Sequence, residues 1–394
     1  MADKTKIEWT DATWNPITGC AVVSPGCTNC YAMKLAGTRL RNIPSRVGLT
    51  RATKAGPVWT GEIRFNEAWL DEPLRYRRPR MIFVCAHGDL FAEGVTDEML
   101  DRVFAVMALA PQHTFQVLTK RPERMRDYLS AARAHPVGLA ALEQTMRSHS
   151  LNPRSTVGSG VKLQGDIAHL SVWPLPNVWL GVSAEDQRRA DERIPVLLDT
   201  PAAVRWVSAE PLLGSIDLFS PEMEGPLANG EPSLEQIDGP NGMHFVRYGA
   251  SRLDWVVAGG ESGHGARPMH PDWPRMIRDQ CATAGVPFLF KQWGEWAPIC
   301  EMSEEAVDRC YRSNRRAREG ESQETMDEMH GRTCIVKKHV LHHDGSQHDV
   351  IAPRAFLQGT GAMSMFRIGK PAAGRRLDGV LHDAYPQSEE IVFG

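Results

Sequence analysis

The sequence predicts an α/β fold: a TIM-type βα barrel, full or partial, with a parallel sheet and loop insertions. Short apolar runs alternate with stretches of helical spacing, which indicates parallel strands joined by right-handed crossovers. Most of these runs end in polar or glycine residues, as strands do at the mouth of a barrel. Seven such runs are present, which suits a complete or partial barrel. A doubly wound open sheet is the alternative, because periodicity alone does not separate the two folds.

The elements follow one another along the whole chain. Candidate strands lie at 14–18, 81–85, 114–118, 178–182, 204–208, 254–258 and 286–290. Helical spacing of apolar residues predicts helices at 32–40, at 97–110, from the residues after Asp186 to Leu198, and at 271–284. We expect one barrel over residues 1–298, with insertions near 131–176 and 219–250. Residues 299–394 are expected to form a charged insertion and a C-terminal extension that packs on the barrel.

Composition is that of an ordinary globular protein. The chain has 394 residues, of which 42% are hydrophobic and 24% charged, with a net charge of −3. This net charge does not announce a nucleic-acid binder, although a local basic groove is invisible in a sum. No apolar run approaches the roughly 18 residues of a membrane span, and the N-terminus is polar. We therefore expect a cytoplasmic protein whose thiols stay reduced, so that cysteine clusters indicate metal or redox sites.

The most informative stretch is a loop with three cysteines. Cys20, Cys27 and Cys30 follow the first candidate strand with the spacing C-x6-C-x2-C, and the next cysteine is Cys85. Three soft thiolates suit a metal and leave one coordination position open. A structural zinc site completed by a distant ligand, or simple burial, is the alternative. An iron–sulfur cluster is favoured because the loop lies where barrel enzymes carry out their chemistry.

Other strand ends carry residues that suit a cofactor. Gly259, Gly260 and Glu261 follow a buried strand, where glycines let a ligand approach the backbone closely. Two further strands end in Ser-Ala-Glu, and hydroxyl and carboxylate pairs suit ribose hydroxyls or an amine. Those residues are Ser183, Glu185, Ser208 and Glu210. The alternatives are a solvated glutamate in a tight turn at Glu261 and helix capping by Ser183.

Cations and aromatic rings at the strand ends predict an anionic or base-containing substrate. The candidate substrate residues are His87, Asp89, Lys120, Arg121, Lys291 and Trp293. Surface charge, packed tryptophans, and capping or core roles for His87 and Asp89 are the alternatives. A late group of cysteines and histidines matches no zinc pattern. Its members are Cys300, Cys310, Cys334, His339, His342, His343 and His348.

A combination of motifs resembles a known family. The motifs are KIEWTD at 6–11, WNP at 14–16, the three-cysteine loop, FQVLTKRP at 115–122, GVS at 181–183, SAEPL at 208–212, GGESG at 259–263 and FKQWG at 290–294, with GK at 369–370, AGR at 373–375 and LDG at 377–379 in the tail. They resemble the phage Gp37/Gp68 proteins, also called the DUF5131 family. The three-cysteine motif is in turn similar to that of radical S-adenosylmethionine (SAM) enzymes, whose usual spacing is C-x3-C-x2-C.

This resemblance implies a function. A 4Fe–4S cluster on Cys20, Cys27 and Cys30 would bind SAM, and one-electron transfer would cleave SAM to methionine and a 5′-deoxyadenosyl radical. Ser183, Glu185, Glu210 and the Gly259–Glu261 motif are then candidate contacts to SAM or substrate. The phage link implies a nucleic-acid or nucleoside substrate, and the chemistry implies an electron donor. The alternative from a different class is a zinc-binding, non-enzymatic phage protein that interacts with nucleic acid.

Overall fold

A seven-stranded parallel sheet forms the centre of the molecule. The structure is a computed structural model, and it describes residues 5, 7–134, 173–218, 234–238, 244–248 and 252–386. The strands are β1 Ala12–Trp14, β2 Met81–Val84, β3 Thr114–Thr119, β4 Val178–Ser183, β5 Val204–Ala209, β6 Trp255–Gly259 and β7 Phe288–Gln292. Each strand pairs in parallel with the next one along the chain. Six of the seven predicted strands and the parallel arrangement are confirmed. The first strand was predicted at 14–18 but lies at 12–14, and Ile17–Thr18 instead pairs antiparallel with Arg64–Phe65 outside this sheet.

Within the described residues, the helices that pack on this sheet lie on one of its faces. Five helices are described between β1 and β7. They are α1 Tyr31–Gly37, α2 Asp97–Leu109, α3 Pro122–Ala134, α4 Gln187–Leu198 and α5 Asp272–Ala284, so the four predicted helices are confirmed within a few residues. The main apolar core joins α2, α3, α4 and α5 to one set of alternating strand side chains. A doubly wound sheet would carry helices on both faces. The sheet is instead a curled half-barrel, consistent with a partial βα barrel.

Aromatic side chains fill the inner, concave face. Trp9, which precedes β1, packs edge-on against Phe83 at 4.8 Å and Trp206 at 5.2 Å between ring centroids. Gly181 makes room for this packing, since a Cβ there would lie 2.5 Å from the Trp206 indole. Because these rings occupy the interior, the open space that remains lies at the carboxyl ends of the strands.

The C-terminal segment pairs with β7. The amide of Phe290 donates to the carbonyl of His382 at 2.9 Å, and an antiparallel bridge joins Leu289 to Asp383. Tyr385 then stacks on Trp255 with a centroid distance of 5.2 Å. This pairing satisfies backbone groups of an edge strand that would otherwise be free to recruit another chain.

The residues after β7 build a second sheet of four strands. In chain order these are β8 Trp296–Pro298, β9 Lys338–Leu341, β10 Gln347–His348 and β11 Met363–Arg367, and the spatial order is β8-β11-β9-β10. Three short helices accompany them: α6 Glu304–Asp308, α7 Gln323–His330 and α8 Lys370–Ala373. The proposed division of the chain at residue 298 stays a prediction.

Short two-stranded pairs and 3-10 turns complete the described chain. The pairs are Ile17–Thr18 with Arg64–Phe65, Thr50–Thr53 with Gly56–Trp59, Leu234–Asp238 with His244–Tyr248, and Tyr311–Arg312 with Thr333–Cys334. The 3-10 turns are Pro25–Cys27, Glu67–Trp69, Glu72–Arg75 and Ile299–Glu301. The insertions predicted near 131–176 and 219–250 lie largely outside the described residues. Among the helices described, none combines the length and apolar character needed to cross a lipid bilayer.

Candidate functional site

A cavity of about 260 Å³ opens at the carboxyl ends of the strands. Side chains alternate along a strand, so every second residue faces the interior. On β4 and β5 this series ends in Ser183 and Ser208, which are direct neighbours across the two strands. The predicted residues that line the cavity are Cys20, Cys27, Cys30, Asp89, Lys120, Arg121, Ser183, Ser208, Glu210, Gly260, Glu261 and Lys291.

The three-cysteine loop forms one wall of this cavity. It leaves β1 through Gly19, whose amide donates to the carbonyl of His87 at 3.1 Å and whose φ of +98° suits glycine. The loop then makes a 3-10 turn over Pro25–Cys27, and α1 begins directly after Cys30. All three cysteines are free thiols. Among the described residues, no three or more Cys, His, Asp or Glu side chains form a compact group able to hold a metal ion.

Glu185 fixes the three-cysteine loop through a hydrogen bond to its backbone. Its side chain is fully buried, and its two oxygens accept from the Gly26 amide at 3.1 Å and from Arg193 at 3.0 Å. Burial alone would raise the pKa of Glu185, but Lys120, Ser24, Arg193 and the Gly26 amide together lower it. Both carboxylate oxygens of Glu185 therefore already accept hydrogen bonds from within the protein. The predicted contact of Glu185 to SAM or substrate stays a prediction.

Glu261 holds the same loop from the side of β6. Asn29 donates to it at 2.8 Å, and the Arg267 guanidinium binds it at 2.7 Å and also donates to the carbonyl of Pro25 at 3.1 Å. Only 6% of Glu261 is exposed, so the alternative of a solvated glutamate in a turn is wrong. The carboxylate lines the cavity while it cross-links the loop.

Asp89 and Arg121 form a buried ion pair beside Cys20. The guanidinium lies 2.9 Å from the Asp89 carboxylate and donates to the Cys20 sulfur at 3.6 Å. Asp89 also accepts from the Thr119 hydroxyl at 2.7 Å and from the Lys120 amide at 3.2 Å. The pair therefore ties the end of β3 to the cysteine loop, and it places a positive charge next to one thiol.

Burial keeps the Cys20 and Cys30 thiols protonated at neutral pH. It raises the pKa of Cys20 to about 12, with Asp89 adding to the rise and Arg121 opposing it. Burial also raises the pKa of Cys30. A metal binds thiolates rather than thiols, so metal uptake here must release protons and must become more favourable as the pH rises.

Two lysines face the cavity in different states. The Lys291 ammonium lies 3.0 Å from the Glu210 carboxylate and 5.9 Å from the centre of the Trp9 ring. Glu210 also accepts a hydrogen bond from the Ser208 hydroxyl at 3.3 Å. The Lys120 ammonium has no hydrogen-bond or ion-pair partner among the described residues. Lys120 is therefore the cavity cation that is free to bind an anionic ligand.

Several predicted residues do not line the cavity. Trp293 is 1% exposed, belongs to the main core and donates to the Arg376 carbonyl at 2.7 Å. His87 packs edge-on against Tyr31, and burial lowers its pKa to about 4, so it is neutral at pH 7. A Cβ at Gly259 would lie 2.7 Å from the Glu210 carboxylate. Close packing therefore explains why a glycine stands at position 259. The capping alternative for Ser183 is wrong, because Asp186 caps α4.

The late cysteines and histidines do not assemble into a site. Cys310 donates to the Ala306 carbonyl and Cys334 to the Val336 carbonyl, while Cys300 contacts Arg275. His342 bonds the backbone carbonyl of Ala355 at 2.9 Å. None of these described side chains belongs to a compact metal-binding group.

Sequence reasoning missed three residues of the site. Cys85 follows β2 and lines the cavity with the other cysteines, in a left-handed conformation with φ of 59° that is uncommon outside glycine. Its position at the end of the strand beside β1 is a signal that was present in the sequence. Asn29 and Arg267 bind Glu261 from 232 and 6 residues away. The partner of Asn29 follows only from the tertiary structure.

Comparison with known proteins identifies the family and nothing more specific. No curated protein and no solved structure matches the chain. One family model does match, over residues 4–386, and its description is "Protein of unknown function (DUF5131)". Since the match spans nearly the whole sequence, the chain belongs to the DUF5131 family.

Proposed function

We propose that this protein is a radical SAM-type iron–sulfur enzyme. The observation that carries the proposal is the position of the loop: Cys20, Cys27 and Cys30 line a cavity at the carboxyl ends of a parallel half-barrel. A structural zinc site is normally closed by four protein ligands, whereas this loop opens on a space that can hold a ligand. The TIM-type barrel assignment and the link to phage Gp37/Gp68 proteins are part of the same proposal.

The residues present fit a 4Fe–4S cluster. Cys20, Cys27 and Cys30 are free thiols that line one cavity, and cysteine thiolates are the ligands that hold iron–sulfur clusters. Arg121 donates to the Cys20 sulfur, and hydrogen bonds to sulfur are one means by which proteins set cluster potentials. When bound, the cluster would pass one electron from an external donor to SAM, which breaks into methionine and a 5′-deoxyadenosyl radical that abstracts a substrate hydrogen.

The strand ends supply binding groups for SAM and substrate. The hydroxyls of Ser183 and Ser208 and the carboxylate of Glu210 suit ribose hydroxyls or an amine, and Lys120 suits a carboxylate or phosphate. The aromatic rings of Trp9 and Phe83 line the inner end of the cavity and exclude water. Cations beside aromatic rings also suit a nucleobase, so the substrate is proposed to be a nucleic acid or a nucleoside.

Anaerobic reconstitution tests the proposal. The full chain is reconstituted with iron and sulfide, then mixed with SAM and dithionite, and 5′-deoxyadenosine and methionine are quantified. The expected result is a brown protein that forms both products. Cys20→Ala, Cys27→Ala and Cys30→Ala should each lose the cluster absorbance and the products.

Cys85→Ala is the matched control, because Cys85 lines the same cavity with a buried thiol but follows β2 and lies outside the three-cysteine loop. This variant should keep both iron and product formation. Loss of the cluster in Cys85→Ala would show a fourth cysteine ligand and would contradict an open iron. A colourless protein with stoichiometric zinc, or a cluster without 5′-deoxyadenosine, would also overturn the proposal.

A further inference from the structure

One stretch of the chain has an unusual charge distribution. Residues 12–61 contain no Asp or Glu, but they contain Lys34, Arg39, Arg41, Arg46, Arg51 and Lys54. The remainder of the chain carries 39 of the 45 Lys and Arg residues against all 48 Asp and Glu residues. The near-neutral total therefore conceals a positively charged segment, and this segment contains the three-cysteine loop.

Four of these cations are exposed and unpaired. Arg39 and Arg41 follow α1, while Arg51 and Lys54 lie on the hairpin formed by Thr50–Thr53 and Gly56–Trp59. None of the four side chains has a hydrogen-bond or ion-pair partner among the described residues. We call Arg39, Arg41, Arg51 and Lys54 the basic surface.

The basic surface is built on elements that also form the cavity wall. Tyr31, at the start of α1, and Trp59, at the end of the hairpin, both line the cavity. The helix and the hairpin pack so closely that a Cβ at Gly37 would lie 2.1 Å from the Pro57 Cβ. Trp59 joins Met33 and Leu49 in a small apolar core that fixes the two elements together. A ligand held on this surface therefore lies beside the opening of the site.

Other arginine-rich parts of the chain have ion-paired arginines or nearby acidic residues. Arg75 is paired with Asp71, and Arg124 with Asp97. Arg315 and Arg316 are exposed and unpaired, but Glu319, Glu321 and Glu324 follow closely in sequence. Arg77 and Arg78 are also exposed and unpaired among the described residues, but the acid-free run that contains them, 73–88, is much shorter. Among the described parts of the chain, residues 12–61 are the longest acid-free run that combines exposed, unpaired cations with contact to the cavity.

We infer that the basic surface binds the phosphate backbone of a polynucleotide, so that a nucleotide of this polymer reaches the cavity. The inference rests on the proposed function and narrows its substrate from nucleic acid or nucleoside to a polymer. Three of the four cations are arginines, whose planar guanidinium matches a phosphate with two hydrogen bonds. Phosphate contacts position a nucleic acid without reading its sequence. A free nucleoside would have no use for cations outside the cavity.

Salt dependence of binding tests this inference. Full-length protein is titrated into fluorescein-labelled single strands and duplexes of about 20 nucleotides, and anisotropy is followed over a salt series. Arg41→Ser with Lys54→Ser removes two phosphate contacts. The slope of log affinity against log salt should then become shallower by about 1.4 to 1.8, and affinity at 0.1 M salt should fall about 25- to 60-fold.

Arg315→Ser with Arg316→Ser is the matched control, because it removes the same charge from an exposed, unpaired pair elsewhere. It should leave the slope and the affinity unchanged. Equal losses in both double variants, or an unchanged slope in Arg41→Ser with Lys54→Ser, would contradict the inference. So would binding to vesicles with about one-third phosphatidylserine in the absence of binding to either nucleic acid.

The two proposals fail in distinguishable ways. Nucleic-acid binding is measured without SAM or reductant, and SAM cleavage is measured without nucleic acid. Product formation from SAM without any salt-dependent binding would overturn only the basic surface. Salt-dependent binding with no 5′-deoxyadenosine would overturn only the radical chemistry.

Discussion

Two regions of this protein contain three cysteines each, and the surroundings of the cysteines differ between them. Cys20, Cys27 and Cys30 line one cavity, which is also lined by carboxylates and cations from five strand ends. Cys300, Cys310 and Cys334 lie in the charged region after β7, where each contacts a nearby backbone carbonyl or an arginine. Cysteine number alone therefore does not identify a site.

The two groups of cysteines differ in the residues that support them. The first loop is held by Glu185 and Glu261, two buried carboxylates that reach it from β4 and β6. Buried carboxylates are costly unless they are paired, and both are bound by arginines. The second region has short strands, and its Arg332–Asp308 ion pair is exposed. Buried, hydrogen-bonded neighbours hold a binding site in position, and the three-cysteine loop has this support.

The largest effect is expected when one cysteine of each region is removed. Cys30→Ala should lower the iron bound after reconstitution at least about tenfold, because the proposed cluster loses one of its three protein ligands. Cys334→Ala should leave it unchanged, although Cys334 is similarly half-exposed. Iron and sulfide per chain are measured together with visible absorbance. Equal iron in both variants would remove the distinction between the two regions.

A second test compares one ion pair from each region. Asp89→Asn leaves Arg121 buried with only Glu93 as a charged partner, so the free energy of unfolding should fall by about 3 kcal/mol. Asp308→Asn breaks an exposed pair with Arg332 and should cost about 0–1 kcal/mol. Urea unfolding monitored by tryptophan fluorescence measures both. Similar losses would show that the site is not more rigidly supported than the charged region.

The smallest effect concerns acid stability in the C-terminal extension. Arg275 and Arg278 lower the pKa of Asp378 from 3.8 to about 2, with burial opposing them. Since the folded pKa is the lower one, the carboxylate stabilises the fold above pH 3.8, and this contribution disappears as the pH falls through about 2. Asp378 is partly exposed, so Asp378→Asn should cost less than about 1 kcal/mol at pH 6.

The pH dependence provides the check on this prediction. The difference in unfolding free energy between the parent and Asp378→Asn should be constant from pH 7 to about 5 and should shrink below that. A difference that grows on acidification would show that the arginines do not stabilise the charged form of Asp378.

Local patterns were sufficient to predict most of the sheet. Alternating apolar runs and helical stretches indicate burial over a few residues, so six of the seven strands and the helices α1, α2, α4 and α5 were predicted. The first strand was placed too late, because 14–18 continues past Trp14 into a separate antiparallel pair. The helix α3 was missed, because four of the first six residues of Pro122–Ala134 are charged. Periodicity also could not show that the helices lie on one face, since a buried strand looks alike in a barrel and in a doubly wound sheet.

The candidate site divides in the same way. The sequence by itself determined the three cysteines and the polar residues that follow the strands, because both are features of neighbouring residues. Only the tertiary structure decided that Glu185 and Glu261 bind the cysteine loop, across 159 and 232 residues, and that Cys85 joins the cavity. Such pairings depend on how the sheet curls, and no local pattern encodes that curvature. The acid-free stretch of residues 12–61 was present in the sequence, but its meaning came from its position beside the cavity.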